Sequence, residues 1–134
     1  MNQAFLKHAN WPKELSIPYF VKASENLFSL FSDLPYGITA TAPGFYAPQG
    51  RTLRLKPAIK DLHEKMKSFT FNNNQITNFE METSALYFLG RSLGHKTLTI
   101  CAIIGNRLNK KYSKDYKITV EKMIDLVLNR ICPK

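Results

Sequence analysis

The sequence predicts an α/β fold with an incomplete mixed sheet, and three observations carry that expectation. Helical and strand-like segments alternate in the order helix, strand, helix, helix, strand, helix, the pattern of helices layered against a sheet. The length of 134 residues suits a single domain, since domains run to roughly 100 to 200 residues. A content of 44% hydrophobic and 22% charged residues is that of an ordinary globular chain and argues against disorder. Two or three strands at most can be read, so the sheet lacks neighbours.

The first expected element is a helix over residues 16–31, with Ser16 as N-cap, Pro18 in the first turn and an apolar stripe through Phe20, Leu27, Leu30 and Phe31. Asp33, Pro35 and Gly37 end it. A short strand over residues 38–42 follows, and Pro43, Gly44, Pro48 and Gly50 then break the chain into a loop. Residues 60–68 read as a short, mostly solvated helix, and Asn72, Asn73 and Asn74 mark a turn. Thr77-Asn78-Phe79-Glu80 has the form of a capping box, which predicts a helix from there to about Ser92, stopped by Gly94. Residues 96–104 are rich in β-formers and apolar at nearly every position, the pattern of a strand covered on both faces. A last helix over residues 115–131 repeats Val120, Met123, Ile124, Val127, Leu128 and Ile131 at helical spacing, as a helix that docks on a core does.

The charge of +9 is the footprint expected of a protein that meets anionic surfaces or nucleic acid. The lysines are nevertheless scattered. Only Asn109-Lys110-Lys111-Tyr112-Ser113-Lys114 mixes basic and aromatic residues densely, and it lacks the repeated aromatics of an RNA-binding sheet, which argues against nucleic acid as a partner. Cys101 and Cys132 make neither a disulfide framework nor a zinc spacing, and Cys101 is expected to be a small buried thiol. His8, His63 and His95 have no metal-ligand spacing and read as surface residues, so no metal is expected. No signal peptide is evident in residues 1–9, and the apolar run over residues 98–104 is far short of the roughly 20 residues of a membrane helix. The expectation is a cytoplasmic protein with no membrane partner.

Three constellations could carry chemistry. In Glu80-Met81-Glu82, Glu80 suits a capping role at a helix dipole, because Thr83, Ser84, Tyr87 and Arg91 give it a polar face. Glu82 instead shares the expected core-facing side of that helix with Ala85, Leu86 and Leu89, so it is expected to be a buried acid, where an unpaired charge is costly. It is either a structural carboxylate with its own partners or a ligand-binding one. The loop Phe45-Tyr46-Ala47-Pro48-Gln49-Gly50-Arg51 is either a turn with aromatics tucked onto a core or a site for a planar ligand. An aromatic face, a carboxamide that both donates and accepts, and a guanidinium fork match the edge of a heterocycle whose ring N–H is flanked by carbonyls. Gly105-Asn106-Arg107 is either a plain strand exit or part of a site at a strand's carboxyl end.

Taken together, these segments resemble the nucleoside phosphorylases. Asn78-Phe79-Glu80-Met81-Glu82-Thr83-Ser84-Ala85 resembles their ribose-contacting signature. Phe45 to Arg51 resembles the uracil-recognition loop of the uridine phosphorylase type, and Ala102-Ile103-Ile104-Gly105-Asn106-Arg107 is similar to the strand that closes the base pocket. The three occur in the family's order, and the resemblance covers most of the chain. It implies part of a three-layer α/β/α fold. It also implies that Glu82 accepts hydrogen bonds from the ribose hydroxyls, with Met81 and Glu80 nearby, that Phe45 packs on the nucleoside, and that Gln49 and Arg51 hold the uracil edge and stabilise charge on the departing base. Gln49, Arg51 and Glu82 are thus the implied catalytic residues. Asn106, followed by Arg107, stands where purine-specific relatives place an aspartate, which favours a pyrimidine nucleoside.

The implied reaction is attack of inorganic phosphate on the anomeric carbon through an oxocarbenium-like state, with no cofactor and no metal. The family's phosphate site, built from a glycine-rich strand end, arginines and a hydroxyl residue, is not recognisable among Gly37, Gly44, Gly50, Gly90, Gly94 and Gly105. Residues 1–134 are therefore expected to be one segment, the C-terminal half of a phosphorylase domain without its N-terminal phosphate-binding half. The expected partners are a nucleoside or nucleobase and either a complementing N-terminal half or further copies of the chain. A catalytically dead module that keeps nucleoside or base recognition is the alternative.

Overall fold

A computed structural model describes residues 1–132 and divides into two compact units, Met1–Leu98 and Thr99–Lys134. In the first unit, α1 (Asn2–Ala9) lies outside the elements expected from sequence. It buries Phe5 and Ala9, one turn apart, and ends at Asn10 in the left-handed region (φ 47°, ψ 56°), whose N–H donates back to Leu6 and Lys7.

The helix expected over residues 16–31 shrinks to α2 (Glu25–Ser29), and its cap is Ser24, not Ser16. Residues 17–23 run without helix because two tertiary contacts outweigh their helical pattern. Phe20 is drawn onto Phe5, with ring centroids 6.5 Å apart, and the Ser24 N–H donates to the Thr97 carbonyl at 2.8 Å. Ser24 Oγ then accepts from the Leu27 N–H and starts the helix there.

The sheet of this unit has the order β1-β3-β2, from β1 (Ile38–Thr41), β2 (Thr70–Phe71) and β3 (Asn74–Glu80). β1 runs parallel to β3, and β2 joins β3 through the expected asparagine turn, in which Asn72 and Asn73 both take positive φ. β3 replaces the first part of the helix expected from Thr77 onward. Its register shifts once: Ile38 pairs with Ile76 but Thr39 with Asn78, so Thr77 is an extra residue in a bulge. Beyond the bulge the alternation of faces shifts by one. Ile76 and Phe79, three residues apart as on a helix, therefore both reach the cluster of Ile59, Leu62 and Met66. Asn78 and Glu80 are left on the other side with their partners Thr39 and Thr41.

The core lies on the apolar side of this sheet. One cluster joins Phe5, Ala9 and Phe69, with the Phe5 and Phe69 rings edge to face at 5.1 Å. The second is built on α3 (Leu62–Ser68), close to the expected bounds. Trp11 and Ile76 touch both. His8 on α1 is exposed, as expected, yet its ring bonds the Lys65 carbonyl and Ser68 on α3. His63 departs from expectation, being half-buried with its ring edge-on to Phe79. After β3 comes α4 (Thr83–Ser92), followed by Gly94 at φ 75°, the expected stop.

Residues 96–104 belong to neither sheet, contrary to the expected strand, and Cys101, Ile103 and Ile104 are exposed instead of buried. A run covered on both faces needs neighbours on both flanks, and no strand of either sheet pairs with it. The second unit comprises a hairpin of β4 (Gly105–Asn106) with β5 (Lys111–Tyr112), then α5 (Tyr116–Ile131). α5 has the expected bounds, but none of its residues is buried. Among the described residues no helix is long and apolar enough to cross a membrane.

Candidate functional site

Thr41 and Glu80 end the parallel strands β1 and β3 and face each other in register. The loop after β1 and the start of α4 therefore leave the sheet at one edge, the place where open α/β sheets gather their ligands. The Thr41 hydroxyl donates to Glu80 Oε1 at 2.5 Å and accepts from the Ser84 N–H at 3.0 Å. Glu80 Oε2 accepts from the N–H groups of Glu82 at 2.9 Å and Thr83 at 2.7 Å. Three amides at the start of α4 thus find partners in two strand-end side chains. Burial alone would raise the Glu80 pKa, but the hydrogen bonds from Thr41, Glu82 and Thr83 outweigh it and hold the carboxyl below its usual value.

The loop after β1 folds back onto this segment. A single 3₁₀ turn, Ala47–Gln49, carries Pro48 at its start and ends at Gly50 with φ 72°. Glycine is required there on two counts. The left-handed backbone disfavours a side chain, and a Cβ would stand 2.9 Å from the His63 Nε2. The tight turn aims Gln49 inward, where it is only 2% exposed. Its Nε2 donates to the Glu80 carbonyl at 3.4 Å, and its Oε1 accepts from Arg51 at 2.9 Å. Arg51 also donates to the Phe45 carbonyl, and its guanidinium lies 3.6 Å above the Phe45 ring. Phe45 is 52% exposed and packs edge-on against Tyr46.

Phe45, Gln49, Arg51, Glu80, Met81 and Glu82 therefore gather around one sheet edge, with the Gln49 carboxamide bridging the loop to the acidic segment. The expected burial of Glu82 is corrected: the residue is exposed. The reason is the environment of α4, whose Leu86 and Leu89 are themselves about half exposed, so the apolar side that Glu82 shares is an outer surface. The buried acid is replaced by two different carboxylates, a bonded Glu80 and a solvent-facing Glu82. The capping role read for Glu80 holds, through backbone amides two and three residues on.

Asn106 and Arg107 lie in the second unit, at the end of β4 and in the turn that follows. Asn106 Oδ1 accepts from the Asn109 N–H at 3.0 Å and shapes that turn. Thr41 was absent from the sequence-derived set. The alternation Ile38-Thr39-Ala40-Thr41 is a signal that could have put it on a polar strand face, but its partner Glu80 is known only once β1 and β3 are paired. Among the described residues no group of three or more His, Cys, Asp or Glu side chains is placed to hold a metal ion.

Comparison with known proteins shows the family and the fold. The family model of the phosphorylase superfamily matches residues 8–131. A uridine phosphorylase of Thermococcus kodakarensis is 33% identical over 84 residues, covering 58% of this chain and 27% of that protein. A crystal structure of a Trypanosoma brucei nucleoside phosphorylase that shows uridine phosphorylase activity superposes with a TM-score of 0.74 at 25% identity. That match covers 85% of this chain and 43% of the solved one, so the chain spans less than half the length of either relative. The incomplete mixed α/β sheet is accordingly that of a partial nucleoside phosphorylase fold. The chain belongs to the phosphorylase superfamily.

Proposed function

We propose that this chain is the nucleoside-binding part of a uridine-type phosphorylase, with a pyrimidine nucleoside as its ligand. The observation that carries the proposal is the junction of Gln49 and Arg51 with the Glu80 to Glu82 segment, since Gln49 Nε2 reaches the Glu80 carbonyl at 3.4 Å. In the proposed ligand-bound state the Arg51 guanidinium and the Gln49 carboxamide, which is buried and bonded to Arg51 and to the Glu80 carbonyl, turn donors and an acceptor to a uracil edge, beside an acid able to take sugar hydroxyls. Phe45 packs on the nucleoside, and its exposed ring is reachable from solvent. Glu82 accepts from the ribose hydroxyls, and its exposure leaves the carboxylate available to them. Met81 contributes its backbone, and Glu80 holds the segment in shape. Asn106, with Arg107 beside it, favours a pyrimidine because an asparagine cannot protonate a purine ring as an aspartic acid can.

In the proposed reaction inorganic phosphate attacks the anomeric carbon, the glycosidic bond breaks, and uracil and ribose 1-phosphate leave. Gln49 and Arg51 stabilise the negative charge that grows on the base as the bond lengthens. The reaction is a pentosyl transfer of pyrimidine salvage, placed in the cytoplasm. We assign the phosphate site to a complementing segment or chain, so the 134 residues by themselves bind without turnover.

The test is calorimetric titration of uridine in phosphate, followed for heat and for uracil release. The expected result is saturable binding without release. Arg51→Ala is expected to weaken binding about tenfold or more, as the loss of a charged hydrogen-bond partner does. Release of uracil by these residues alone would contradict the inactivity, and an absence of binding would contradict the nucleoside reading.

A further inference from the structure

We propose that Thr41 is a positioning residue, a strut that sets the sugar-binding segment relative to the base-recognition loop. The inference rests on the nucleoside reading above and adds a residue that makes no contact with ligand in that reading. Thr41 is the last residue of β1, and the loop that delivers Phe45, Gln49 and Arg51 begins at the next residue. Its hydroxyl is used twice, donating to Glu80 Oε1 at 2.5 Å and accepting the Ser84 N–H at 3.0 Å. The other oxygen of the same carboxylate holds the Glu82 and Thr83 amides. One hydroxyl therefore ties the strand that leads into the base loop to the turn that presents Glu82.

The backbone ladder does not supply this tie. It continues as far as the Ala42 N–H, which donates to the Glu80 carbonyl at 3.0 Å, and fixes the strands but not the first turn of α4. That turn has no cap of the usual kind, because the side chain of its N-cap residue, Glu82, makes no capping bond. Glu80 and Thr41 together take the place of the cap. Without the hydroxyl, the carboxylate loses the donor on Oε1 and the Ser84 amide loses its acceptor. Glu82 then loses its fixed position while Gln49 and Arg51 keep theirs through bonds that do not involve Thr41. A defect confined to the sugar end of the ligand is the distinguishing consequence.

The experiment compares uridine with uracil, which lacks the sugar, on the full 134-residue chain by calorimetry. Thr41→Val keeps the shape and removes the hydroxyl, and Thr41→Ser keeps the hydroxyl. Thr41→Val is expected to weaken uridine about tenfold, the loss typical of one charge-assisted hydrogen bond, and to leave uracil within about twofold. Thr41→Ser is expected to bind both like the parent chain. Equal losses for the two ligands, or none for either, overturn the proposal. If Thr41→Val does not fold, Thr41→Ser decides the matter, since a folded serine variant that loses uridine selectively also overturns it.

Should the parent chain bind neither ligand, the nucleoside reading fails, and the strut is read separately from an NMR titration of the Glu80 carboxyl. Its pKa is expected below the usual carboxylate value in the parent and Thr41→Ser chains and higher in Thr41→Val. An unchanged carboxyl in Thr41→Val overturns the strut itself.

Discussion

The Glu80 carboxylate receives hydrogen bonds from the Thr41 hydroxyl and from the Glu82 and Thr83 amides, and each of them favours its charged form. Its folded pKa is therefore depressed below 4.5, the value it has when unperturbed. A depressed carboxylate contributes stability above the unfolded pKa and loses it as pH falls through the folded one. Glu80→Gln is accordingly expected to destabilise the chain by about 1 kcal/mol at neutral pH, a usual cost of losing a helix cap. Thermal melts of the two chains should differ at pH 7 and converge as the pH drops below the ordinary carboxylate range. A difference independent of pH would show that charge on Glu80 is not involved. At this scale the sequence revealed which residue types gather but not their surroundings. Glu80 could be read as a cap from its polar neighbours, whereas Glu82 was read as buried because apolar spacing on a helix says which side is apolar, not whether anything covers it.

Among the elements, those with local signals were legible and those decided by tertiary pairing were not. The asparagine turn, α3, the glycine stop of α4 and the bounds of α5 follow from turn chemistry and periodicity, which act over a few residues. The sequence of β3 suggests the start of a helix because Thr77 and Glu80 imitate a capping box. Pairing with β1 on one side and β2 on the other decides for strand. The base loop was legible from its breakers, and its shape depends on Gly50. Gly50→Ala forces a Cβ towards His63 in a left-handed backbone, at a cost of about 1 to 2 kcal/mol. Chemical denaturation should show that loss. Pairing it with His63→Ala should recover only the steric part, and full recovery would contradict the backbone argument.

At the scale of the molecule, large apolar side chains stand exposed on helices of both units. Phe88 and Leu89 of α4 and Leu93 after it are more than half exposed, as are Ile118, Leu128 and Ile131 of α5. Exposed apolar groups at helical spacing mark surfaces that associate. The chain is expected to self-associate at tens of micromolar concentration by light scattering, an order-of-magnitude expectation for patches of this kind. Leu89→Glu is expected to reduce the association while leaving the circular dichroism unchanged, and undiminished association would exclude this face of α4. The fold class was legible at this scale because helices do alternate with strands of a partial mixed sheet, although α1, β2 and β3 were not expected and the strand expected over residues 96–104 is absent. Two of the three short runs singled out in the sequence, residues 45–51 and 80–82, meet at one end of the β1-β3 pair, while residues 105–107 belong to the second unit. The most direct test of the central claim, that the loop ending at Arg51 and the segment opening α4 form one nucleoside site, is a uridine titration followed by backbone amide NMR shifts. Saturable shifts are expected together at Phe45, Gln49 and Arg51 and at Met81, Glu82 and Ser84. Shifts absent from both segments, or confined to residues outside them, would contradict the account.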